Sequence, residues 1–161
     1  MNTLPFDIKP ARTPADINVA REMFREYQQW LGVDLCFQDF DTELAELPGK
    51  YAPPGGEIYI ARSGAQVAGI VAVRGLAKIS AETSEMKRLY VREDWPGKNL
   101  GRQLAELAVD FARNAGYRKM VLDTLPHLMT AKAMYVRMGF TEMAPYYENP
   151  LPGVVYMEKI L

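Results

Sequence analysis

Gly97, Lys98, Asn99, Leu100 and Gly101, with Arg102 next to them, lie between two different apolar patterns. Before them, Glu85-Met86-Lys87-Arg88-Leu89-Tyr90-Val91 alternates as a strand does. After them, Leu100, Leu104, Leu107, Ala108 and Phe111 recur at helical spacing. A strand, a short turn rich in Pro, Gly and Asn, and a helix together aim unpaired backbone N–H groups at one point ahead of the helix. The positive end of the helix dipole favours an anion there. Lys98 and Arg102 add mobile positive charge beside that point. The chemistry open to such a loop is the binding of phosphate.

Spacing separates the glycine-loop chemistries. A dinucleotide fingerprint takes G-x-G-x-x-G, but this loop has only Gly97 and Gly101 with three residues between them. A P-loop takes G-x-x-x-x-G-K-[ST], and here Arg102 and Gln103 follow Gly101. The stretch from Val91 to Leu104 instead resembles the acetyl-CoA signature of the GCN5-related N-acetyltransferases (GNAT), [QR]-x-x-G-x-[GA], preceded by a valine that ends a strand. Gly101 and the flanking Gly97-Lys98 match. Pro96 stands at the Gln or Arg position and removes a donor; Asn99 stands at the first glycine, and Asn is the non-glycine residue that best tolerates left-handed backbone. A second segment, Ala131-x-x-Met134-Tyr135-x-x-x-Gly139-Phe140, resembles the family's A-x-x-[LM]-Y-x-x-x-G-F.

The resemblance implies a cofactor, acetyl-CoA (coenzyme A), and a set of residues for it. The pantetheine arm is expected beside Leu89, Tyr90 and Val91 like an added strand, with a backbone N–H at Val91 near the thioester oxygen. The pyrophosphate is expected at Gly97, Lys98, Asn99, Leu100, Gly101 and Arg102. Tyr135 is the candidate general acid for the departing thiolate and a cofactor contact, and Glu85 is the candidate base. Six residues apart on one strand, Glu85 and Val91 share a face if there is no bulge, and Arg88 lies on the other. A solvated carboxylate at Glu85, with water as the base, is the other reading. Leu128 stands where many relatives have a cofactor-contacting Asn.

Acceptor recognition is expected from the first two helices, through Tyr27, Trp30, Asp34, Phe37 and Asp39, and from the loop Tyr146, Tyr147, Glu148 and Asn149. Aromatic rings interleaved with carboxylates suit a cationic amine or amino-acid-like acceptor. The expected activity is acetyl transfer from acetyl-CoA to a primary amine. A module of the same fold that binds acyl-CoA without turnover is the second reading.

The elements that must position these groups follow from the patterns. Phe6 to Pro10 reads as an edge strand, and Thr13-Pro14-Ala15-Asp16 opens a helix with Ile17, Ala20, Phe24, Tyr27 and Leu31 on its apolar face and Gly32 at its end. Asp41 or Thr42 caps a short second helix through Leu47. Ile58–Ala61 and Gln66–Val73 form a hairpin about Ser63-Gly64, followed by the strand ending at Val91. The central helix ends at Gly116, Met120–Thr124 reads as a buried strand, and a helix through Ala131 and Met138 ends at Gly139. Phe140–Ala144 and Val154–Ile160 are the last strands. This order, which is also that of the GNAT family, predicts an α+β fold with one mixed, mostly antiparallel sheet covered by helices on both faces, a single domain over 1–161.

Composition limits the partners. The 161 residues are 48% hydrophobic with a net charge of −1, which argues against nucleic-acid binding. One Cys and one His make a zinc site untenable, and no metal is expected. Lone Cys36 agrees with a reducing compartment and reads as a buried or half-buried thiol, while His127 reads as a helix-start residue. With neither a signal peptide nor a membrane span in view, the expectation is a cytoplasmic monomer or homodimer acting on a small-molecule amine.

Overall fold

The computed structural model describes residues 6–95 and 99–161, the side chain of Phe37 excepted. Pro96, Gly97 and Lys98, and with them part of the expected phosphate loop, lie outside the described residues. Seven strands form one sheet: β1 Asp7–Pro10, β2 Glu57–Ser63, β3 Gln66–Gly75, β4 Thr83–Val91, β5 Lys119–Thr124, β6 Thr141–Met143 and β7 Val155–Ile160. Their order is β1-β2-β3-β4-β5-β7-β6, and every neighbouring pair is antiparallel except β4 with β5. The helices are α1 Pro14–Leu31, α2 Phe40–Glu46, α3 Leu100–Asn114 and α4 Met129–Arg137, with 3-10 turns at Cys36–Gln38 and Gly49–Tyr51.

Local chemistry explains the helix ends. The Thr13 hydroxyl accepts from the Asp16 N–H and the Asp16 carboxylate accepts from the Thr13 N–H, a reciprocal cap that satisfies two donors at the start of α1. Gly32, left-handed at φ 72°, ends it. The second helix departs from expectation: it begins at Phe40, with Asp39 before it in the left-handed region at φ 59°, so neither Asp41 nor Thr42 caps it. Asp39 leaves the 3-10 turn that precedes it, and the Glu43 N–H closes the first helical turn on the Asp39 carbonyl.

The sheet is buried on both faces. On one side α3 packs Leu104, Ala105 and Ala108 against Val71, Val73, Met120 and Leu122; on the other, α1 and α2 pack Met23, Phe24 and Phe40 against Ile58, Ile60 and Ile70. Strand β3 therefore reads as a continuous apolar run with both faces covered. Gly69 allows α3 to approach closely, since a Cβ there would lie 3.0 Å from both Leu104 Cδ1 and the Tyr90 carbonyl oxygen.

Two irregularities in β4 shape everything that follows. Ile70 pairs with Tyr90 and Ala72 with Lys87, so Val71 faces both Arg88 and Leu89, a bulge with Arg88 at φ 62°. The extra residue inverts the strand's phase. Met86, Leu89 and Val91 face α3, while Lys87 and Tyr90, and with them Glu85, face α1. The parity expectation is thereby corrected: Glu85 and Val91 lie on opposite faces, and Arg88, over the Phe40 ring, lies on the same side as Glu85. The second irregularity is the junction with β5. Parallel pairing covers only Thr83↔Lys119, Ser84↔Met120 and Glu85↔Val121, after which the two strands part.

Candidate active site

A cavity of about 300 Å³ opens where β4 and β5 part. Leu89, Val91, Gly101, Ala131, Met134 and Tyr135 line it on the α3 and α4 side. Tyr27, Trp30, Gln38, Lys87 and Arg88 line it on the α1 side, and Asp123 and Asn149 complete the wall. The cleft thus runs from one face of the sheet to the other, with the unpaired edge of β4 along it.

At the α3 end, Asn99 takes the left-handed conformation expected of it, φ 59° and ψ 20°, and its side chain does not cap the helix. Among the described residues the first helical bond runs from the Gln103 N–H to the Asn99 carbonyl, so the N–H groups of Leu100, Gly101 and Arg102 precede that bond at the end of the helix that favours an anion. The side chain of Leu100 is in the core. A Cβ on Gly101 would meet Val91 Cγ2 at 3.9 Å and Met134 Sδ at 4.0 Å, which places this residue at the corner of helix, strand end and α4. Arg102 pairs with Glu106 at 2.7 Å and remains partly exposed.

Tyr135 is 6% exposed, packs edge-on against Phe140 and borders the cleft. Burial first, then Tyr27 and Asp123, push its phenol well above the ordinary value. The hydroxyl therefore keeps its proton at neutral pH. Leu128, just before α4, brings an aliphatic chain to the wall where an Asn was the family's pattern.

On the α1 side, the bulge brings two adjacent cations inward. Arg88 donates from Nε and Nη2 to both Glu43 oxygens at 2.9 and 3.0 Å, and from Nη1 to Gln38 Oε1 at 2.9 Å. Lys87 Nζ donates to the same Gln38 oxygen at 2.8 Å. Glu85 accepts from Arg74 at 2.9 Å and from the Tyr146 hydroxyl at 2.6 Å, with Lys87 at 3.9 Å. Tyr147 donates to Asp123 and accepts from Gln38 and Asn149. Burial alone would raise the Glu43 carboxyl, yet the Arg88 pair and Lys50 bring it down to about 2. Glu85 behaves likewise: burial opposes its charge, and Lys87, Arg74 and the Tyr146 hydrogen bond outweigh burial and lower it. Burial lowers the Lys87 ammonium, and Glu85 only partly compensates.

Several residues expected for the acceptor do meet the cleft. Tyr27 and Trp30 line it and pack on Tyr90, with the Tyr27 phenol pushed up to about 12 by burial, and Asn149 lines it from the far loop. Tyr146 and Tyr147 stand behind the wall, their hydroxyls on Glu85 and Asp123. Asp34 is exposed, accepts the Cys36 N–H at 2.9 Å and does not line the cleft; Asp39 and Glu148 are exposed as well. Tyr90 turns its hydroxyl to Glu26 at 2.9 Å, where Arg92 also pairs, tying α1 to the end of β4. Glu85 itself is 1% exposed and lies off the cleft wall. His127 is exposed and off the wall, and Cys36 is exposed rather than buried.

The sequence reading missed Gln38, Glu43, Lys87 and Asp123. A usable signal existed for Lys87-Arg88, because two adjacent charges within a strand otherwise dominated by apolar neighbours require internal partners. No local pattern names those partners, which come from α2 and from the turn before it. No group of three or more His, Cys, Asp or Glu side chains able to hold a metal occurs among the described residues, and no described helix is long and apolar enough to cross a membrane.

The sequence profile of the Acetyltransferase (GNAT) family matches residues 18–140. An uncharacterized N-acetyltransferase of Schizosaccharomyces pombe is 41% identical over 151 residues, covering 93% of this chain and 91% of the relative. Among solved structures, an acetyltransferase of Streptococcus agalactiae superposes with a TM-score of 0.77 at 21% identity, over 97% of this chain and 98% of that one. The PaiA N-acetyltransferase of Thermoplasma acidophilum, solved in complex with coenzyme A, gives 0.73 at 18% identity, over 98% of this chain and all (100%) of that one. The parted strands, the helix that starts beside them and the profile match agree: this chain belongs to the acetyltransferase (GNAT) family.

Proposed function

We propose that the protein is an acetyl-CoA-dependent N-acetyltransferase whose acceptor is the primary amine of a small amine or amino-acid-like molecule. The observation that carries this reading is the edge of β4 that runs on beyond its pairing with β5 to a helix start that the Asn99 side chain does not cap. Such an edge can hydrogen-bond an extended amide chain, and such a helix start can hold a phosphate. The residues fit coenzyme A. Leu89, Tyr90 and Val91 offer main-chain groups to the pantetheine, and Leu100, Gly101 and Arg102, with Asn99, Gly97 and Lys98 ahead of them, take the pyrophosphate. Acetyl-CoA supplies the acyl group as a reactive thioester.

The chain's own groups then divide the proton work. Tyr135, which keeps its proton at neutral pH, is placed on the cleft wall to donate it to the leaving sulfur. The incoming amine must lose a proton. Glu85 is buried off the wall and committed to Arg74 and Tyr146, so it serves better to position Lys87 than as the base. Asp123, steadied by Tyr147, is the carboxylate that lines the cleft and can attract the ammonium and accept its proton. Tyr27, Trp30 and Asn149 complete the acceptor end. The reading keeps a small molecule in the cytoplasm as the partner of a single-domain monomer or homodimer.

The test is thiol release from acetyl-CoA across a panel of amines, with coenzyme A binding measured in parallel. Turnover with any amine supports the enzyme. Saturable binding with no turnover on the whole panel refutes it in favour of an acyl-CoA-binding module of the same fold.

A further inference from the structure

Lys87 differs from the other cations of the buried network. Arg88 has both Glu43 oxygens within 3.0 Å, Lys50 has Glu43 at 3.1 Å and Arg74 has Glu85 at 2.9 Å. The Lys87 ammonium instead donates to a neutral amide oxygen of Gln38, and its nearest carboxylate oxygen, on Glu85, is 3.9 Å away. Both Glu85 oxygens are already engaged, one by Arg74 and the other by Tyr146. An ammonium has three donors, so two remain. Lys87 is 7% exposed and lines the cleft. Removing an ammonium from water without a hydrogen-bonded anion is costly, and the open side of Lys87 is where a bound molecule can supply that anion.

We infer that the acceptor carries a carboxylate beside its amine and that Lys87 binds this carboxylate. The inference rests on the acetyltransferase reading for the fate of the amine. Lys87 and Leu89, on either side of the bulged Arg88, both line the cleft, so a carboxylate at Lys87 and an amine at the parted strand edge fit within one small molecule. Asp123 on the same cleft wall offers the opposite charge to the ammonium, and Tyr27 and Trp30 flank the space with rings. A zwitterion meets a complementary pair of charges there. A polyamine or plain alkylamine meets an unmatched cation at Lys87.

The experiment compares L-amino acids with their primary amides, pair by pair, as acceptors from acetyl-CoA in the parent, Lys87→Met and Lys87→Gln. In the best pair, the acid is expected to exceed the amide in kcat/KM by at least about tenfold in the parent. Either variant should lower the value for the acid at least about tenfold more than for the amide, chiefly through KM. Equal parental values for acid and amide overturn the inference while leaving the acetyltransferase reading intact. Equal losses on both also overturn it, since Lys87 then serves chemistry or folding. Lys87→Gln keeps a polar partner for Gln38 and carries the comparison should Lys87→Met not fold. Calorimetric titration of the N-acetyl amino acids and N-acetyl amino amides into the coenzyme A complex reads the same contact without turnover. A carboxylate preference lost in the Lys87 variants supports the inference even if no amine is acetylated, and its absence in the parent overturns it.

Discussion

Glu43→Gln tests whether the buried charge network holds the α1 side of the cleft together. Glu43 is 7% exposed and Arg88 4%, so the substitution leaves a guanidinium in the interior facing a neutral amide. Two routes give its size. Breaking a buried ion pair by removing one partner typically costs about 3–5 kcal/mol. The Glu43 carboxyl is brought from its ordinary 4.5 down to about 2, and at about 1.4 kcal/mol per pH unit this corresponds to about 3 kcal/mol at neutral pH. Urea unfolding at pH 7, followed by far-UV circular dichroism, should therefore show Glu43→Gln less stable by about 3 kcal/mol. The pH dependence is fixed in sign. A carboxyl lowered in the folded state contributes fully above its unfolded value and loses that contribution as pH falls through about 4.5 towards about 2. The parent should lose stability over that window and the variant should lose less. A difference below about 1 kcal/mol at pH 7, or parallel pH profiles, would refute the assignment of the pair as a structural anchor.

Three further outcomes bear on the site. Gly101→Asp should fold, because its Cβ meets only ordinary contacts at 3.9 and 4.0 Å, yet it puts a carboxylate at the phosphate end; coenzyme A affinity measured by calorimetry should fall at least about tenfold, about 1.4 kcal/mol, and a parental Kd would remove the loop from the cofactor site. Tyr135→Phe keeps the ring against Phe140 but removes the proton; kcat should drop roughly 10²- to 10⁴-fold with a smaller loss in acetyl-CoA binding, and parental turnover with weakened binding would leave Tyr135 as a contact only. Asp123→Asn should reduce kcat more than Glu85→Gln does in stopped assays at pH 7. The reverse order would return the base to Glu85.

The fold was legible because its signals are local. A capping sequence such as Thr13-Pro14-Ala15-Asp16 sets a helix start through its own side chains, and a hairpin turns within a few residues at Gly64-Ala65, one position on from the Ser63-Gly64 expected. The elements proposed to hold the cofactor were legible for the same reason. The strand, the helix start and the Ala131 to Phe140 segment are contiguous stretches, and Asn99 could be placed in left-handed backbone from its chemistry alone.

The end of the cleft proposed for the acceptor belongs to tertiary structure. Parity along β4 is a rule about uninterrupted pleating, and the bulge opposite Val71 cancels it, so the face of Glu85, Lys87 and Arg88 depends on how β3 pairs with β4. The depth of the cleft depends on where β5 stops pairing, which follows from β5 running antiparallel to β7 along its whole length while meeting β4 over three residues only. The partners of the inward cations are Gln38 and Glu43, about fifty residues upstream, and these are held in turn with Glu85 by Tyr146 and Tyr147, about sixty downstream, Tyr146 on Glu85 and Tyr147 on Gln38. Sequence states that Lys87 and Arg88 are charged and lie in a buried strand; only the packing of α2 and the far loop against that strand gives Arg88 two carboxylate oxygens and Lys87 none within hydrogen-bond reach.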